Sequence, residues 1–212
     1  MARKPQLTRE ERREAIETRL MEATERLMRA GDSFTDLSID RLASEAGISR
    51  ASFYIYFEDR GDLLRRLARR VFSELADDAR LWWNVAGRHD PQDMTEAMRR
   101  IIASYRGHQS LITALNEMST YDPSVAATYR QLLTDIAAGL GEVISLGQAA
   151  GDIRAELPVE ATAMSLTWMV ERACHQNLPH KPAEFDAELA SALAQIIWGA
   201  LYLEELRPET PR

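Results

Sequence analysis

The chain has 212 residues, a single cysteine and a formal net charge of −7. This length supports one or two compact domains with a real core, and a single cysteine excludes an internal disulfide. The longest apolar runs are too short to cross a bilayer and no signal peptide is visible, so we expect a cytoplasmic protein.

Charge is divided unevenly along the chain. Residues 1–70 hold 15 Lys+Arg and 13 Asp+Glu, a net of +2, whereas the remainder holds 11 and 20, a net of −9. An acidic body would repel DNA, so only the first part of the chain could approach it, with a strong salt dependence. Two ordinary solvated surfaces would give the same numbers, and charge alone favours that simpler interpretation.

A first helix is predicted from about Thr8 to Ala30, and Gly31 ends it. Its inner face carries Ile16, Leu20, Ala23 and Leu27. Basic side chains near the start of the chain could reach phosphates or the minor groove, or could belong to a solvated tail. They are Arg3, Lys4, Arg9, Arg12 and Arg13.

Two short helices joined by a glycine turn are predicted next. Ser38 is placed to cap the first, with Leu37 and Leu42 as its hydrophobic staple, and Gly47 ends it. Ser49 caps the second in the same way, with Ile48 and Phe53 at the staple positions. This second helix carries hydroxyls and a guanidinium, at Arg50, Ser52, Tyr54 and Tyr56. Such a helix is too polar for a core, which favours a helix-turn-helix that docks in a DNA groove.

Six further helices follow from capping and proline signals. They are predicted from Asp59 to about Ala86, Asp90 to Tyr105, Gln109 to Thr120, Asp122 to Ala150, Pro158 to Leu178, and Ala183 to Leu206. Glycines within the seventh helix predict a close helix crossing or a kink. No useful β-alternation is present, so we expect an all-α fold of about nine helices.

The last two helices are apolar over more than one face. Their apolar positions include Leu189, Leu193, Ile196, Ile197, Ala200 and Leu201. Pairing with a second copy in a four-helix bundle would bury both faces, and a monomer with a deeply buried terminal helix would do so equally well.

The segment from Ser38 to Leu63 resembles the DNA-binding signature of the TetR family. The resemblance rests on Leu42-Ala43, Ala46-Gly47-Ile48-Ser49, Ser52-Phe53-Tyr54, Tyr56-Phe57 and Arg60. It implies a homodimer with a DNA-binding head, residues 1–60, and a body for ligand binding and dimerisation, residues 61–212. Gly151 to Arg154 is similar to the family's turn before the dimerisation helices. The tail, with Met169 to Arg172 and Trp198, resembles the mycobacterial repressors of ethionamide activation within that family.

Roles on DNA follow from side-chain chemistry and from the resemblance. Arg50 and Ser52 are expected to face base edges, and Ile55 to touch a thymine methyl. Tyr54 and Tyr56 are expected to bond phosphates, unless one of them packs against the first helix. The resemblance implies a phosphate contact for Arg60, and the backbone N–H of Ser38 offers another.

Aromatic and methionine side chains in the body are typical of apolar ligand cavities and equally of ordinary cores. The residues predicted to bind a ligand are Trp83, Tyr105, Met118, Tyr129, Trp168, Arg172 and Trp198. They imply a lipophilic small-molecule effector. No catalytic motif, metal-ligand constellation or cofactor fingerprint is recognisable, so we expect neither an enzyme nor a metal or cofactor. His175 beside Cys174 is too isolated for a zinc site, and Cys174 is expected to be a packing residue.

The resemblance therefore implies a transcription regulator, in first place a repressor released from a palindromic operator by its effector. An activator of the same fold, or a regulator that answers to a protein partner, remains the second interpretation. A small helical enzyme with an incidental helix-turn-helix is the third.

Overall fold

The computed structural model describes residues 8–83 and 90–202, with only the backbone described at 81–83. Within these residues the chain forms nine α-helices. They are α1 (Arg9–Arg29), α2 (Ile39–Glu45), α3 (Arg50–Tyr56), α4 (Arg60–Trp83), α5 (Pro91–Gly107), α6 (Gln109–Ser119), α7 (Pro123–Ala150), α8 (Val159–Asn177) and α9 (Phe185–Leu201). The predicted all-α fold is confirmed. None of these helices combines the length and apolarity that a bilayer crossing requires.

Local capping explains where the first helices begin. Thr8 and Glu11 form a reciprocal capping box at the start of α1, because each side chain accepts a hydrogen bond from the backbone N–H of the other. Ser38 Oγ accepts from the backbone N–H of Arg41 at 3.1 Å. Asp59 Oδ1 accepts from the backbone N–H of Asp62 at 2.7 Å. The predicted caps of α2 and α4 are therefore confirmed, and the predicted start of α1 near Thr8 is explained by its capping box.

The ninth helix ends earlier than predicted. The sequence predicts helix to Leu206, but α9 stops at Leu201 and Tyr202 is extended, with φ −100° and ψ 146°. Tyr202 pairs as an isolated antiparallel bridge with Ile153. The backbone N–H of Arg154 donates to the carbonyl of Leu201 at 3.0 Å, so a residue distant in sequence provides the hydrogen bond that this carbonyl lacks within the helix.

Internal contacts divide the chain into two compact units. The head unit comprises the residues up to Phe72 together with His108–Arg130, and the body unit comprises Ser73–Gly107 and the residues from Gln131 onward. The head unit is built around fully buried side chains of α1 to α4 and of the loop before α2, including Leu20, Phe34, Leu42, Phe53, Leu63 and Leu67. The division predicted between residues 60 and 61 stays a prediction.

In the body unit, α5 packs along α9. Arg106 of α5 binds Asp186 of α9 in a bidentate ion pair and also donates to the carbonyl of Leu178 at 3.1 Å. The pKa of the Arg106 guanidinium is raised, chiefly by its hydrogen bond to Asp186. One arginine thus fixes α5 to both the end of α8 and the start of α9.

The turn between α7 and α8 depends on two glycines. Gly151 has a positive φ of 84°, which an L side chain adopts only under strain. Ile153 is buried and packs directly over Gly147, where an added Cβ would lie 2.6 Å from Ile153 Cδ1. Gly141 is the point where α8 approaches α7, with Val159 Cγ1 at 3.6 Å from an added Cβ. Gly141 therefore lies at ordinary contact distance from α8, and the close helix crossing or kink predicted from the glycines of α7 stays a prediction.

Candidate nucleic-acid interface

The turn between α2 and α3 is a Schellman motif. The N–H of Ile48 donates to the carbonyl of Ala43 at 2.9 Å and that of Gly47 to Ser44 at 3.0 Å. Gly47 has φ +64°, the left-handed conformation that the motif requires at this position. Ser49 Oγ then caps α3 by accepting from the N–H of Ser52 at 2.9 Å. The predicted helix-turn-helix is confirmed in its backbone detail.

Two arginines of α1 hold this turn in place. Arg19 Nη2 donates to the carbonyl of Gly47 at 2.6 Å. Arg26 binds the Glu45 carboxylate through Nε at 2.9 Å and the Glu45 carbonyl through Nη2 at 3.2 Å. Neither arginine was predicted from the sequence to have this role. Their spacing of seven places them on one face of a helix, which is the signal that could have found them.

The third helix buries one face and exposes the other. Phe53 and Phe57 are buried, with ring centroids 5.3 Å apart, and they anchor the helix to the head core. Tyr54 and Ile55 are 47% and 66% exposed. The outer face of α3 is therefore open to solvent, with Arg50, Tyr54 and Ile55 on it.

Arg50 lies on this outer face and has two polar partners among the described residues. Its Nη1 donates to Oδ2 of Asp40 in α2, and its Nη2 reaches Tyr54 Oη at 3.4 Å. The guanidinium carbon also lies 5.6 Å from the centroid of the Tyr54 ring. The nearby Asp40 carboxylate is the largest cause of a raised pKa of Arg50. No role for Asp40 was predicted from the sequence.

The other predicted DNA contacts differ in exposure. Ser38 is exposed, and its hydroxyl is engaged in capping α2. Ser52 is half-buried, and its Oγ lies 2.8 Å from Ser49 Oγ. Tyr56 is half-buried and lines a polar cleft of about 450 Å³ together with Arg9, Arg13 and Arg66.

Arg60 is turned toward the loop that precedes α2. Its Nη1 donates to the carbonyls of Thr35, at 2.9 Å, and Leu37. Gly61 beside it is buried, and an added Cβ would lie 2.8 Å from Asp122 Oδ2. The start of α4 is therefore closely packed, and Arg60 holds the loop that leads into α2 of the helix-turn-helix.

The residues predicted to bind a ligand do not fall in one unit. Met118 and Tyr129 belong to the head unit, where Tyr129 is buried with its ring 5.6 Å from that of Phe72. Tyr105, Trp168, Arg172 and Trp198 belong to the body unit. The side chain of Trp83 lies outside the described residues. The predicted ligand set stays a prediction.

In the body unit these residues have different surroundings. Tyr105 is buried, and Trp198 stacks on Tyr202 with ring centroids 4.1 Å apart. The Arg172 side chain is 53% exposed, with Nε 3.7 Å from Oε2 of Glu171, which is itself buried.

Cys174 is buried nearby, and burial raises the pKa of its thiol to about 12. This fits the predicted packing role, since a thiol that stays protonated is a poor nucleophile and metal ligand.

An open groove of about 750 Å³ runs between α7 and α8 in the body unit. It contains none of the seven residues predicted to bind a ligand. Its lining is rich in small side chains, and the sequence signal was the run of alanines and glycines in α7. The lining residues are Thr134, Ala137, Ala138, Gly141, Glu142, Ser145, Leu146, Val159, Glu160 and Met164.

A helix-turn-helix head with an exposed polar recognition helix, followed by a helical body, defines a class of DNA-binding transcription regulators. The model of the tetR family of bacterial regulatory proteins matches residues 20–67, and the model of the C-terminal domain of the transcriptional regulator EthR matches residues 94–203, more than half of the chain. The chain belongs to the TetR family.

Individual relatives agree with this assignment. The HTH-type transcriptional regulator EthR of Mycolicibacterium smegmatis is 26% identical over 186 residues, which cover 86% of this chain and 83% of that protein. An HTH-type transcriptional regulator of Haemophilus influenzae is 41% identical over 54 residues, 26% of this chain and 28% of that protein. These relatives are transcription regulators.

Solved structures share the fold at low identity. The fatty acid degradation regulator FadR from Bacillus halodurans has a TM-score of 0.73 and 17% identity, covering 91% of this chain and 96% of its own. A TetR-family transcriptional regulator from Streptomyces coelicolor has a TM-score of 0.67 and 20% identity, covering 92% and 82%. At such identities the likeness concerns the fold alone.

Proposed function

We propose that the chain is a repressor that binds a near-palindromic operator as a homodimer and leaves it when a lipophilic small molecule binds in the body. The observation that carries this proposal is the division of α3, which buries Phe53, is followed directly by the buried Phe57, and turns Arg50, Tyr54 and Ile55 outward. A regulator of chromosomal DNA works in the cytoplasm, which is the compartment assigned here. It acts by binding, not by catalysis.

On DNA, α3 lies in the major groove. Arg50 and Ser52 contact base edges and Ile55 contacts a thymine methyl. Tyr54, Tyr56 and the Ser38 backbone bind phosphates and fix the register. Arg60 Nη1 donates to a carbonyl of the loop before α2, so the other N–H groups of the guanidinium make its phosphate contact.

The two heads of a dimer meet successive major grooves about 34 Å apart. The dimer forms through α8 and α9. The core face of α9 is buried in the chain, whereas Ile196 on its other face is 53% exposed. Gly199 also lies on α9, and an added Cβ there would meet nothing within 4 Å. An apolar, small-residue surface of this kind fits a helix from a second copy.

The effector binds in the part of the chain predicted for ligand binding, residues 61–212, with Tyr105, Trp168 and Trp198 of the body unit as apolar contacts and Arg172 as a polar one. Trp83, Met118 and Tyr129 are the other residues of the predicted set. Ligand binding favours a dimer whose α4 helices hold the heads at the wrong spacing. Such coupling amounts to about 1–3 kcal/mol, enough to change operator occupancy severalfold. The ligand must bind the two states with different affinity, because otherwise no shift follows.

Selection of bound sequences from random duplexes by the purified chain tests the class and symmetry together. We expect enrichment of an inverted repeat with half-sites about one helical turn apart. On a panel of operator variants, Arg50→Ala should relax the preference at one base pair, whereas Tyr54→Phe should weaken binding to all variants about equally. Indistinguishable effects of these two substitutions would refute the assigned roles.

The interface is tested by sedimentation of Ile196→Glu, which should give folded monomers. Leu146→Glu is a matched control, because Leu146 is 72% exposed on α7 and lies outside the proposed interface. If Leu146→Glu dissociates the dimer and Ile196→Glu does not, the interface lies along the α7–α8 groove instead.

The effector is tested with a panel of lipophilic compounds, scored first by the shift in melting temperature and then by operator affinity. A compound that raises the melting temperature should weaken operator binding. Compounds that bind the body and leave operator affinity unchanged would refute release by ligand. Increased transcription from an operator reporter in the absence of a ligand would favour an activator.

A further inference from the structure

An acidic side chain stands where DNA should approach. Asp40, in the first turn of α2, forms an ion pair with Arg50, the first residue of α3, across the helix-turn-helix turn. The two side chains are 60% and 56% exposed. A carboxylate on this surface repels the phosphates of a duplex, so its presence next to the recognition helix requires a reason.

Folding stability does not supply that reason. An ion pair this exposed contributes little, because water and salt screen it and both side chains lose rotamer freedom. The turn is already held by the Schellman motif and by Arg19, which donates to the carbonyl of Gly47. The effect of the ion pair is therefore on the orientation and the charge of the Arg50 side chain.

The guanidinium of Arg50 is held from two sides. Asp40 accepts from Nη1, and the ring face of Tyr54 lies 5.6 Å from the guanidinium carbon. The Tyr54 hydroxyl is only a weak partner, 3.4 Å from Nη2, which a phosphate can replace on DNA. A guanidinium has five N–H donors, so about three remain for a base. Bidentate recognition of guanine needs two donors in a fixed orientation, and restricting the side chain beforehand reduces the entropy lost on binding.

The pair also changes how Arg50 responds to phosphates. A free arginine on this surface would bind the backbone of any duplex, without regard to sequence. With Asp40 beside it, the local charge is close to neutral and the attraction to phosphate is weak. Hydrogen bonds to a guanine edge depend on geometry more than on net charge, so they survive this neutralisation.

We propose that Asp40 is a positioning residue that sets sequence specificity, because it orients Arg50 toward a guanine edge and withholds it from phosphates. The inference rests on the proposed docking of α3 in the major groove. The opposite role is an inhibitory one, in which Asp40 only competes with DNA for Arg50. The two roles differ in what happens to discrimination once the carboxylate is removed.

The test uses the full chain and four variants on three kinds of duplex. The duplexes are the selected operator, the operator changed at the base pair that Arg50 reads, and a non-specific sequence, each at two salt concentrations. Asp40→Asn removes the charge and keeps the shape, and Asp40→Glu keeps the charge on a longer side chain. Asp36→Asn is the matched control, because it removes an exposed carboxylate of the same head that is not a partner of Arg50. Arg50→Ala completes the set, and the melting temperature of each variant verifies folding.

For the wild type, we expect the changed base pair to weaken binding by about fivefold or more. In Asp40→Asn this discrimination should fall to about twofold or less, while affinity for the non-specific duplex rises. Asp40→Glu should restore most of the discrimination, and Asp36→Asn should leave it unchanged.

Other outcomes overturn the inference. Asp40→Asn could bind operator and non-specific duplex more tightly by the same factor, with discrimination intact, and Asp40 would then be a competitor only. A loss of discrimination in Asp36→Asn equal to that in Asp40→Asn would show a general charge effect. If Arg50→Ala keeps the wild-type discrimination, Arg50 reads no base and the proposed docking fails instead.

Discussion

Two glycines in α7 allow a sharp test of how α7 and α8 pack. Gly141 and Gly147 lie in the same helix, and neither has a positive φ, so replacing either by alanine improves helix propensity by about 0.8–1.0 kcal/mol. The two sites differ in the space available. A Cβ at 141 meets Val159 Cγ1 at 3.6 Å, an ordinary contact, whereas one at 147 lies 2.6 Å from Ile153 Cδ1.

Gly141→Ala should therefore stabilise the body by up to about 1 kcal/mol. Gly147→Ala gains the same propensity but forces the buried Ile153 to move, and overpacking of this kind costs about 1–3 kcal/mol. The backbone cannot yield easily, because Ile153 pairs with Tyr202 and the next residue bonds to the end of α9. The net result for Gly147→Ala lies between neutral and about 2 kcal/mol of destabilisation.

Thermal unfolding at one fixed protein concentration measures the contrast, since the melting temperature of a dimer depends on concentration. A difference of 1 kcal/mol moves the melting temperature by about 2–4 °C in a chain of this size. Ile153→Ala in the Gly147→Ala background should cost less than in the wild type, because it removes the clashing atoms. Equal stabilisation by the two alanines, or additive costs in the double variant, would refute the packing argument.

Two further predictions concern titratable groups of α8, the half-buried His175 and the buried Cys174. Burial is the largest cause that lowers the pKa of His175, opposed by Glu171. His175 therefore binds a proton more readily in the unfolded chain than in the folded one below about pH 6.5. The part of the stability that depends on His175 should be constant above that pH and fall as the pH drops below it. His175→Gln should reduce this pH dependence of the melting temperature between about pH 7.5 and 5.5. The pKa of the Cys174 thiol is raised to about 12, so a thiol reagent at pH 8 should label the native chain at least roughly 10³-fold more slowly than the unfolded chain. Rapid labelling without denaturant would contradict this burial.

Local signals were sufficient to predict the first four helices. N-caps at Ser38, Ser49 and Asp59, and a glycine at position 47, each act within about one helical turn, so the sequence around them determines the structure. The end of α9 is different. Nothing near Tyr202 in sequence stops a helix, and the chain leaves it because Ile153, about fifty residues earlier, offers a backbone partner.

Side-chain identity does not determine which residues come together in a site. Tyr129 has the character of a pocket residue, yet it packs against Phe72 in the head unit and accepts a hydrogen bond from Asn116. The α7–α8 groove is lined by small residues, and the run of alanines and glycines in α7 that signals it predicts close helix packing as readily as a groove. The ion pair between Asp40 and Arg50 depends on the angle between α2 and α3, and the sequence around either residue does not indicate its partner.

The count of basic residues in the head overstates the charge available to DNA. Arg19, Arg26 and Arg60 all donate to backbone carbonyls of the head, and several other arginines pair with carboxylates. Within the described part of the head, four exposed arginines have no such partner: Arg9, Arg12, Arg41 and Arg69. Arg41 is in the first turn of α2, near Ser38, whose backbone we assign to a phosphate.

Arg41→Ala should therefore remove one phosphate contact per head and lower the slope of log Kd against log salt concentration by about 0.9 per head. Arg26→Ala removes an equal charge whose partner is Glu45, so it should lower the melting temperature and leave the slope nearly unchanged. Fluorescence anisotropy over a range of salt concentrations measures both slopes on the same operator. Equal slope changes for the two variants would mean that net charge, not the commitment of each guanidinium, governs how this head meets DNA.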